Sequence, residues 1–251
     1  GVSSLDELIE KTIPANILLK EPLKLGAAMT DREFAEHIGK LAAQNKLYKT
    51  YIGCGWYDTV TPAVVQRNVF ENPVWYTSYT PYQAEISQGR LEALLNFQTV
   101  ISDLTALPLA NCSLLDEATA AAEAATMMYG LRSRAQQKAQ ANVLFVDEEI
   151  FPQTLAVIRT RAIPQGMVVK VGSYKNLTFT PDIFGCIVQY PNNSGSIEDY
   201  REFAEQAHAA GCKVAVAADI LSLALLVPPG EWGADIAFGS SQRLGVSLIH
   251  I

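Results

Sequence analysis

Residues 186–219 read CIVQYPNNSGSIEDYREFAEQAHAAGCKVAVAAD. An apolar run, 186–190, gives way to a polar loop rich in Asn, Ser and Gly. Helical periodicity follows over 197–210, opened by Ser196 and Asp199 and closed by Gly211, whose missing Cβ suits a helix C-terminus. A second apolar run, 213–218, stops at Asp219. Two largely apolar strands joined by an amphipathic helix predict parallel strands covered on both faces.

The alternation extends outward. Further strands are expected at VLFV (143–146), MVVKV (167–171) and DIAFG (235–239), with a helix over 151–161. Upstream, Leu91, Leu94, Leu95, Val100, Ile101 and Leu104 recur at helical steps and predict a helix over 84–106. Another is expected over 116–135, where Asp116 and Glu117 suit the positive end of the helix dipole and the alanines permit close packing. Ser4 with Glu7, and Thr30 with Glu33, have capping-box spacing ahead of two N-terminal helices. Residues 47–83 are loop-like, rich in Tyr, Gly, Thr and Asn and interrupted by Pro62, Pro73 and Pro81. So many aromatics imply either a loop clamped onto the core or a surface facing a substrate. The expected organisation is an α/β part over 84–251, a mainly parallel sheet with helices on both faces, preceded by a helical and aromatic-loop extension over 1–83. The closing apolar stretch GSSQRLGVSLIHI lacks a terminating helix or turn, which leads to the expectation that the chain is truncated.

Composition narrows the function. With 251 residues, 49% hydrophobic and 18% charged, the chain has an ordinary globular balance and is not a disordered tail. Twenty-six acids against 19 bases, a net charge of −7, provide no basic field for nucleic acid or an anionic membrane. No apolar run reaches the roughly 18 residues of a bilayer span. The N-terminal residues look like neither a signal nor a transit peptide, so a cytoplasmic protein is expected, with the mitochondrial matrix as the alternative. Cys54, Cys112, Cys186 and Cys212 form no CxxC pair, and with His37, His208 and His250 they show no metal-ligand spacing. Cys186 and Cys212 lie in apolar runs and are expected as buried thiols. Cys54, in a Gly-rich loop, leaves open a thiol enzyme, although no histidine is placed to activate it.

Ligands of parallel α/β sheets bind beyond the carboxyl ends of the strands. There the sequence puts Asp147, Glu148 and Glu149; Pro191, Asn192 and Asn193; Asp219; and Ser240, Ser241, Gln242 and Arg243. No GxGxxG, GxxxxGK[ST] or GxSxG motif is present. An acid ending one strand and a Ser-rich turn after a later one suit pyridoxal-phosphate chemistry, in which a carboxylate keeps the pyridine nitrogen protonated and a later lysine forms the Schiff base. Asp219 fits the first role, but the last lysine is Lys213, and the turn carries Gln242, which cannot form an imine.

The stretch YIGCGWYDTVTPAVVQRNVFENPVWYTSYTPYQAEISQGRLEALLNFQTVISDLTALPLANCSLLDEATAAAEA, residues 51–124, closely resembles the N-terminal half of the glycine decarboxylase family, the P-protein of the glycine cleavage system. SLDELIEKTIP (4–14), FPQTLAVIRTRA, QYPNNSGSIEDY and PPGEWGADIAFGSSQRLGV extend the resemblance over nearly the whole chain. It implies the large domain of the pyridoxal-phosphate-dependent transferase fold type I (aspartate-aminotransferase-like). It also implies an oxidoreductase that decarboxylates glycine and passes the aminomethyl group to the lipoyl arm of H-protein. The family builds its active unit from two homologous halves, fused or as separate subunits. The lysine, and most contacts to pyridoxal 5'-phosphate, belong to the C-terminal half. This chain would then hold no catalytic residue and be inactive alone. Gln242 would stand at the Schiff-base lysine position and Asp219 would be a relic of a cofactor site. The implied partners are the C-terminal half or second subunit, lipoylated H-protein and glycine. Tyr79, Thr80, Tyr82, Gln83 and Glu85 would reach the other half's site as substrate-binding residues, or, on the plainer alternative, pack the surface between halves. Asp116 and Glu117 occupy the slot where the catalytic half binds the cofactor phosphate. Phe151 stands where the family usually has a His before PQT, and the final LIHI departs from the Gly-rich continuation of the family. The competing functional reading is a non-catalytic interaction module that binds the catalytic half or H-protein.

Overall fold

A computed structural model of the chain describes residues 1–21, 23–49, 51, 60–75, 83–111 and 113–244. Contacts divide the chain into Gly1–Ile52 and Gly53–Ile251. In the first unit, Ser4 caps α1 (Leu5–Thr12) by accepting from the Glu7 N–H at 3.1 Å. Glu7 reaches Ser3 rather than Ser4, taking its N–H at 2.7 Å and its hydroxyl at 2.6 Å, so the expected box forms on one side only. Thr30 and Glu33 make the full reciprocal box ahead of α2 (Asp31–Ala42).

The second unit opens with short α3 (Ala63–Val65), which runs into a π-helical turn at Gln66–Phe70. The helix expected over 84–106 is split by Ser87 into a 3-10 turn, Ala84–Ile86, and α4 (Gln88–Thr105). The helix expected over 116–135 stops earlier: α5 spans Glu117–Gly130, and Ser133 starts α6 (Arg134–Lys138) with its own reciprocal cap. Then β1 (Val143–Asp147), α7 (Pro152–Ala162), β2 (Val168–Gly172), β3 (Ile183–Tyr190), α8 (Arg201–Ala209), β4 (Lys213–Ala218), α9 (Pro229–Trp232) and β5 (Ile236–Phe238) alternate as anticipated. The strands form one parallel sheet in the order β2-β1-β3-β4-β5.

Side chains alternate across this sheet, so neighbouring residues feed two separate cores. Leu144 and Val146 face one layer with Ala121, Ala124, Ala125 and Met128 of α5 and Ile158 of α7. Val143, Phe145, Cys186, Val188, Val214 and Val216 face the other, with Phe203, Ala204 and Ala207 of α8 and the rings of Tyr200 and Trp232. Cys186 and Cys212 are buried free thiols, as expected. Gly185 of β3 lets α5 come close, since a Cβ there would sit 2.9 Å from the Met128 sulfur. Ser196 and Asp199 do not open α8, whose N-cap is Tyr200. Asn192 has claimed the segment instead: its Oδ1 accepts from the Ser194 N–H at 3.1 Å and the Ser196 N–H at 2.8 Å, folding 192–196 into a turn. No helix among the described residues is long and apolar enough to cross a membrane.

At the amino ends of the strands, Asp235 ties three elements together. Its carboxylate accepts from Lys213 Nζ at 2.7 Å, the Val214 N–H at 2.8 Å and His208 Nε2 at 2.9 Å. Burial pushes its pKa up, but these partners outweigh that and hold it below the usual aspartate value. Its stabilising effect is therefore present above that usual value and is lost as pH falls through the depressed folded pKa. Asp235→Asn should lower stability at pH 7 by about 1–3 kcal/mol, as expected for losing charge-assisted hydrogen bonds. Urea denaturation should show the difference from wild type narrowing as pH falls through the carboxylate range.

Candidate functional site

The strand order reverses between β1 and β3, where a parallel sheet opens a crevice. Here the chain's own groups tie the two strand ends together. Asp147 is buried, and its Oδ1 accepts from the Tyr174 N–H at 3.2 Å. Burial raises its pKa, opposed by backbone N–H groups of Tyr174 and Glu148. Gln189, only 3% exposed, accepts from the Phe151 N–H at 2.8 Å. The Glu149 carbonyl accepts from the Asn193 N–H at 2.8 Å. Gln189 thus fastens the start of α7 to β3. Sequence reasoning missed this role, although a polar residue inside an apolar strand was the available signal.

The second group gathers beyond β4 and β5. The Asp219 N–H donates to the Tyr190 carbonyl at 3.0 Å, and its Oδ1 accepts from the Leu221 N–H at 3.1 Å. Its other oxygen lies 3.9 Å from the Arg243 guanidinium. Gly239 lets the following turn lie against β4, because a Cβ there would stand 2.2 Å from the Ala218 carbonyl oxygen. That turn carries Gln242, whose N–H donates to Ser240 Oγ at 3.2 Å. The N-terminus of α5 comes close to Asp219. Asp116 caps it, its Oδ1 accepting from the Thr119 N–H at 2.6 Å. Glu117, the first residue of α5, has its pKa pushed up to about 7, chiefly by burial and then by the negative charges of Asp219 and Asp116.

These residues do not fit a pyridoxal phosphate. A helix N-terminus binds phosphate through unsatisfied N–H groups and its positive dipole end. Here Asp116 has taken the Thr119 N–H, and two carboxyl groups stand where a dianion would bind. No lysine follows β5 among residues 239–251.

Of the expected substrate-binding residues, Tyr79, Thr80 and Tyr82 lie outside the described residues, as does Cys54. Gln83 precedes the 3-10 turn, its carbonyl accepting from the Ile86 N–H at 3.3 Å. Glu85 sits in that turn, exposed, and with Gln88, Leu91, Glu92 and Leu95 lines an open surface recess of about 580 Å³. No group of three or more His, Cys, Asp or Glu suited to a metal ion occurs among the described residues.

A parallel sheet with helices on both faces, with an acid beyond one strand and a turn packed beside it, is the large-domain architecture of the pyridoxal-phosphate-dependent transferases of fold type I. The family model described as glycine cleavage system P-protein matches residues 1–250, and the chain belongs to that family. A glycine dehydrogenase (decarboxylating) of Bacteroides fragilis is 74% identical over 250 residues, covering all of this chain and 26% of the relative. The mitochondrial glycine dehydrogenase (decarboxylating) of Dictyostelium discoideum is 53% identical, with 98% of this chain and 24% of the relative covered. The chain thus spans about a quarter of the length of these curated relatives. Among solved structures, an inhibitor-bound glycine decarboxylase (P-protein) of the glycine cleavage system superimposes with a TM-score of 0.80 at 34% identity. The match covers 98% of this chain and 55% of the other.

The Glu117 site has a signature in pH. A carboxyl group whose folded pKa is raised from 4.5 to about 7 binds its proton more tightly in the folded state. Stability therefore falls as pH rises from 4.5 to about 7, then levels off. Glu117→Gln should stabilise the protein above pH 7 by up to about 3 kcal/mol and have little effect below pH 4.5. Thermal melts of both proteins across that range measure the difference. A constant offset at every pH would contradict the raised pKa.

Proposed function

We propose that this chain is the lysine-less N-terminal portion of a larger glycine decarboxylase and is inactive by itself. On this reading the assembled enzyme decarboxylates glycine and passes the aminomethyl group to the lipoyl arm of H-protein. The observation that carries the reading is Gln242 in the turn after β5, where a Schiff-base lysine is required and an amide cannot serve. Two acids at the start of α5 add to it. The pyridoxal phosphate would then be held mainly by the C-terminal half, fused or separate, which is this chain's principal partner. Asp219 serves as a relic that now supports the Leu221 turn.

What this half contributes, we propose, is the segment with Tyr79, Thr80, Tyr82, Gln83 and Glu85, presented to the other half's site. Hydroxyl and amide donors suit a carboxylate that must be lost. A full ion pair would stabilise the ground state more than the transition state, and only differential binding accelerates the step. Residues 1–83 act as an extension to the α/β part over 84–251. The assembled enzyme works in the cytoplasm of a bacterium or, as the name of the Dictyostelium relative suggests for its own kind, in mitochondria.

Glycine–bicarbonate exchange tests the reading directly. This chain alone should show none, and addition of the C-terminal half should restore it. In the assembled enzyme, Tyr82→Phe and Gln83→Ala should each lower turnover on the order of 10-fold, the effect of losing one substrate hydrogen bond. Unchanged turnover in both would favour an interaction module over a contributor to the site.

A further inference from the structure

The unit Gly1–Ile52 holds two amphipathic helices, α1 and α2, and neither buries a residue. On α1, Leu5, Leu8 and Ile9 recur at i, i+3 and i+4. On α2, Phe34, Ile38 and Leu41 recur at i, i+4 and i+7, so each helix carries one apolar stripe. All six side chains are exposed, Leu5 at 76% and Phe34 at 57%. The opposite face of each helix is already satisfied: Glu7 pairs with Lys11, and Arg32 with Glu36 at 3.0 Å, each four residues apart. Among the described residues of the unit, all but Glu7 and Leu18 are exposed.

Helices of 8 and 12 residues are marginal in water, because nucleation costs more than their few backbone hydrogen bonds return. The caps at Ser4 and Thr30 reduce that cost but bury no apolar surface. Bare apolar stripes on such helices call for a surface that covers them. An anionic membrane does not suit, since helices that lie on one carry Lys and Arg on the polar face. Over residues 1–52 acids and bases balance in number. A protein surface does suit: it can cover the stripes and leave the ion pairs of the opposite faces in water. Most of the protein surface available for this lies outside the chain, which spans about a quarter of the length of its curated relatives.

We infer that the apolar stripes of α1 and α2 are a docking surface for the companion half of the enzyme, which rests on reading this chain as one portion of a larger glycine decarboxylase. Leu8 and Ile38 stand at the middle of the two stripes. Lys40, exposed on the polar side of α2, serves as the control.

The test measures amide protection of α1 and α2 by deuterium labelling, in this chain alone and after addition of the C-terminal half. Protection should be low in the chain alone and rise by on the order of 10-fold or more in the assembled enzyme, because covered helices open only when the partner leaves. The paired substitution Leu8→Gln and Ile38→Gln keeps good helix formers and removes apolar area. It should raise by on the order of 10-fold or more the concentration of C-terminal half needed to protect the helices. Lys40→Gln should leave that concentration unchanged. The comparison of wild-type chain with and without the C-terminal half decides the matter even if the paired variant does not fold. Protection already present in the chain alone, whether constant or rising with its own concentration, would overturn the docking surface, since the chain itself or a second copy would then be the cover. Protection gained only on anionic vesicles would overturn it as well. Glycine–bicarbonate exchange restored while both helices stay unprotected would overturn the docking surface and leave the proposed function standing. Protection gained without any such exchange would support the docking surface and overturn the proposed activity.

Discussion

The closeness of α5 to the sheet is the constraint from which the site's character follows. Ala121, Ala124 and Ala125 pack in the layer against the strands, and Gly185 leaves room for the Met128 sulfur, which would lie 2.9 Å from a Cβ there. An alanine face brings a helix closer than leucines would, at the cost of little side-chain entropy. With α5 seated there, its N-terminus is delivered to the carboxyl ends of β4 and β5. What stands in its first turn then decides what the site can hold.

In this chain acids stand there. Asp116 satisfies the helix end as a capping side chain should, while Glu117 is pressed into a half-buried position near Asp219. The two carboxyl groups belong to different elements and repel, and the fold accommodates them by favouring the protonated form of Glu117. Arg243, 3.9 Å from Asp219, offsets only part of this field. The same first turn thus stabilises its helix through Asp116 and carries an electrostatic cost at Glu117. A phosphate-binding helix end must leave those N–H groups free and that charge absent. On the proposed reading, Gln242 in the turn after β5 and the acids at the start of α5 are two separate features that lead to the same chemical incapacity.

Much of the architecture was legible in the sequence because strand and helix periodicity are local. VLFV, CIVQY and KVAVAA became β1, β3 and β4 within a few residues, and Gly211 closed α8 with φ +76°. Errors arose where a side chain had two local uses. Ser196 stood in capping position for the expected helix over 197–210, but its N–H is held in the Asn192 turn and α8 starts only at Arg201. Asp219 and Gln242 were legible as strand-end residues. The effect of Asp219 on Glu117 was not, because that neighbourhood exists only once α5 has packed on the sheet. Gln189 was missed for a similar reason, since its value lies in reaching the N–H of Phe151 across a strand boundary.

If, as proposed, this portion leaves the cofactor chemistry to another half, it is released from one requirement and bound by another. The cores on the two faces of the sheet do not involve Gln242 or Glu117, so substitutions at those positions leave most of the buried apolar area intact. On the proposed reading, presentation of an aromatic segment to another polypeptide demands accuracy instead, and loops are accurate only where rigid elements hold their ends. That demand falls on backbone contacts such as Val74 against Gly89, where a single added methyl group is too much. On that reading, selection should bear on the small residues under its loops more heavily than on the polar residues beyond β4 and β5.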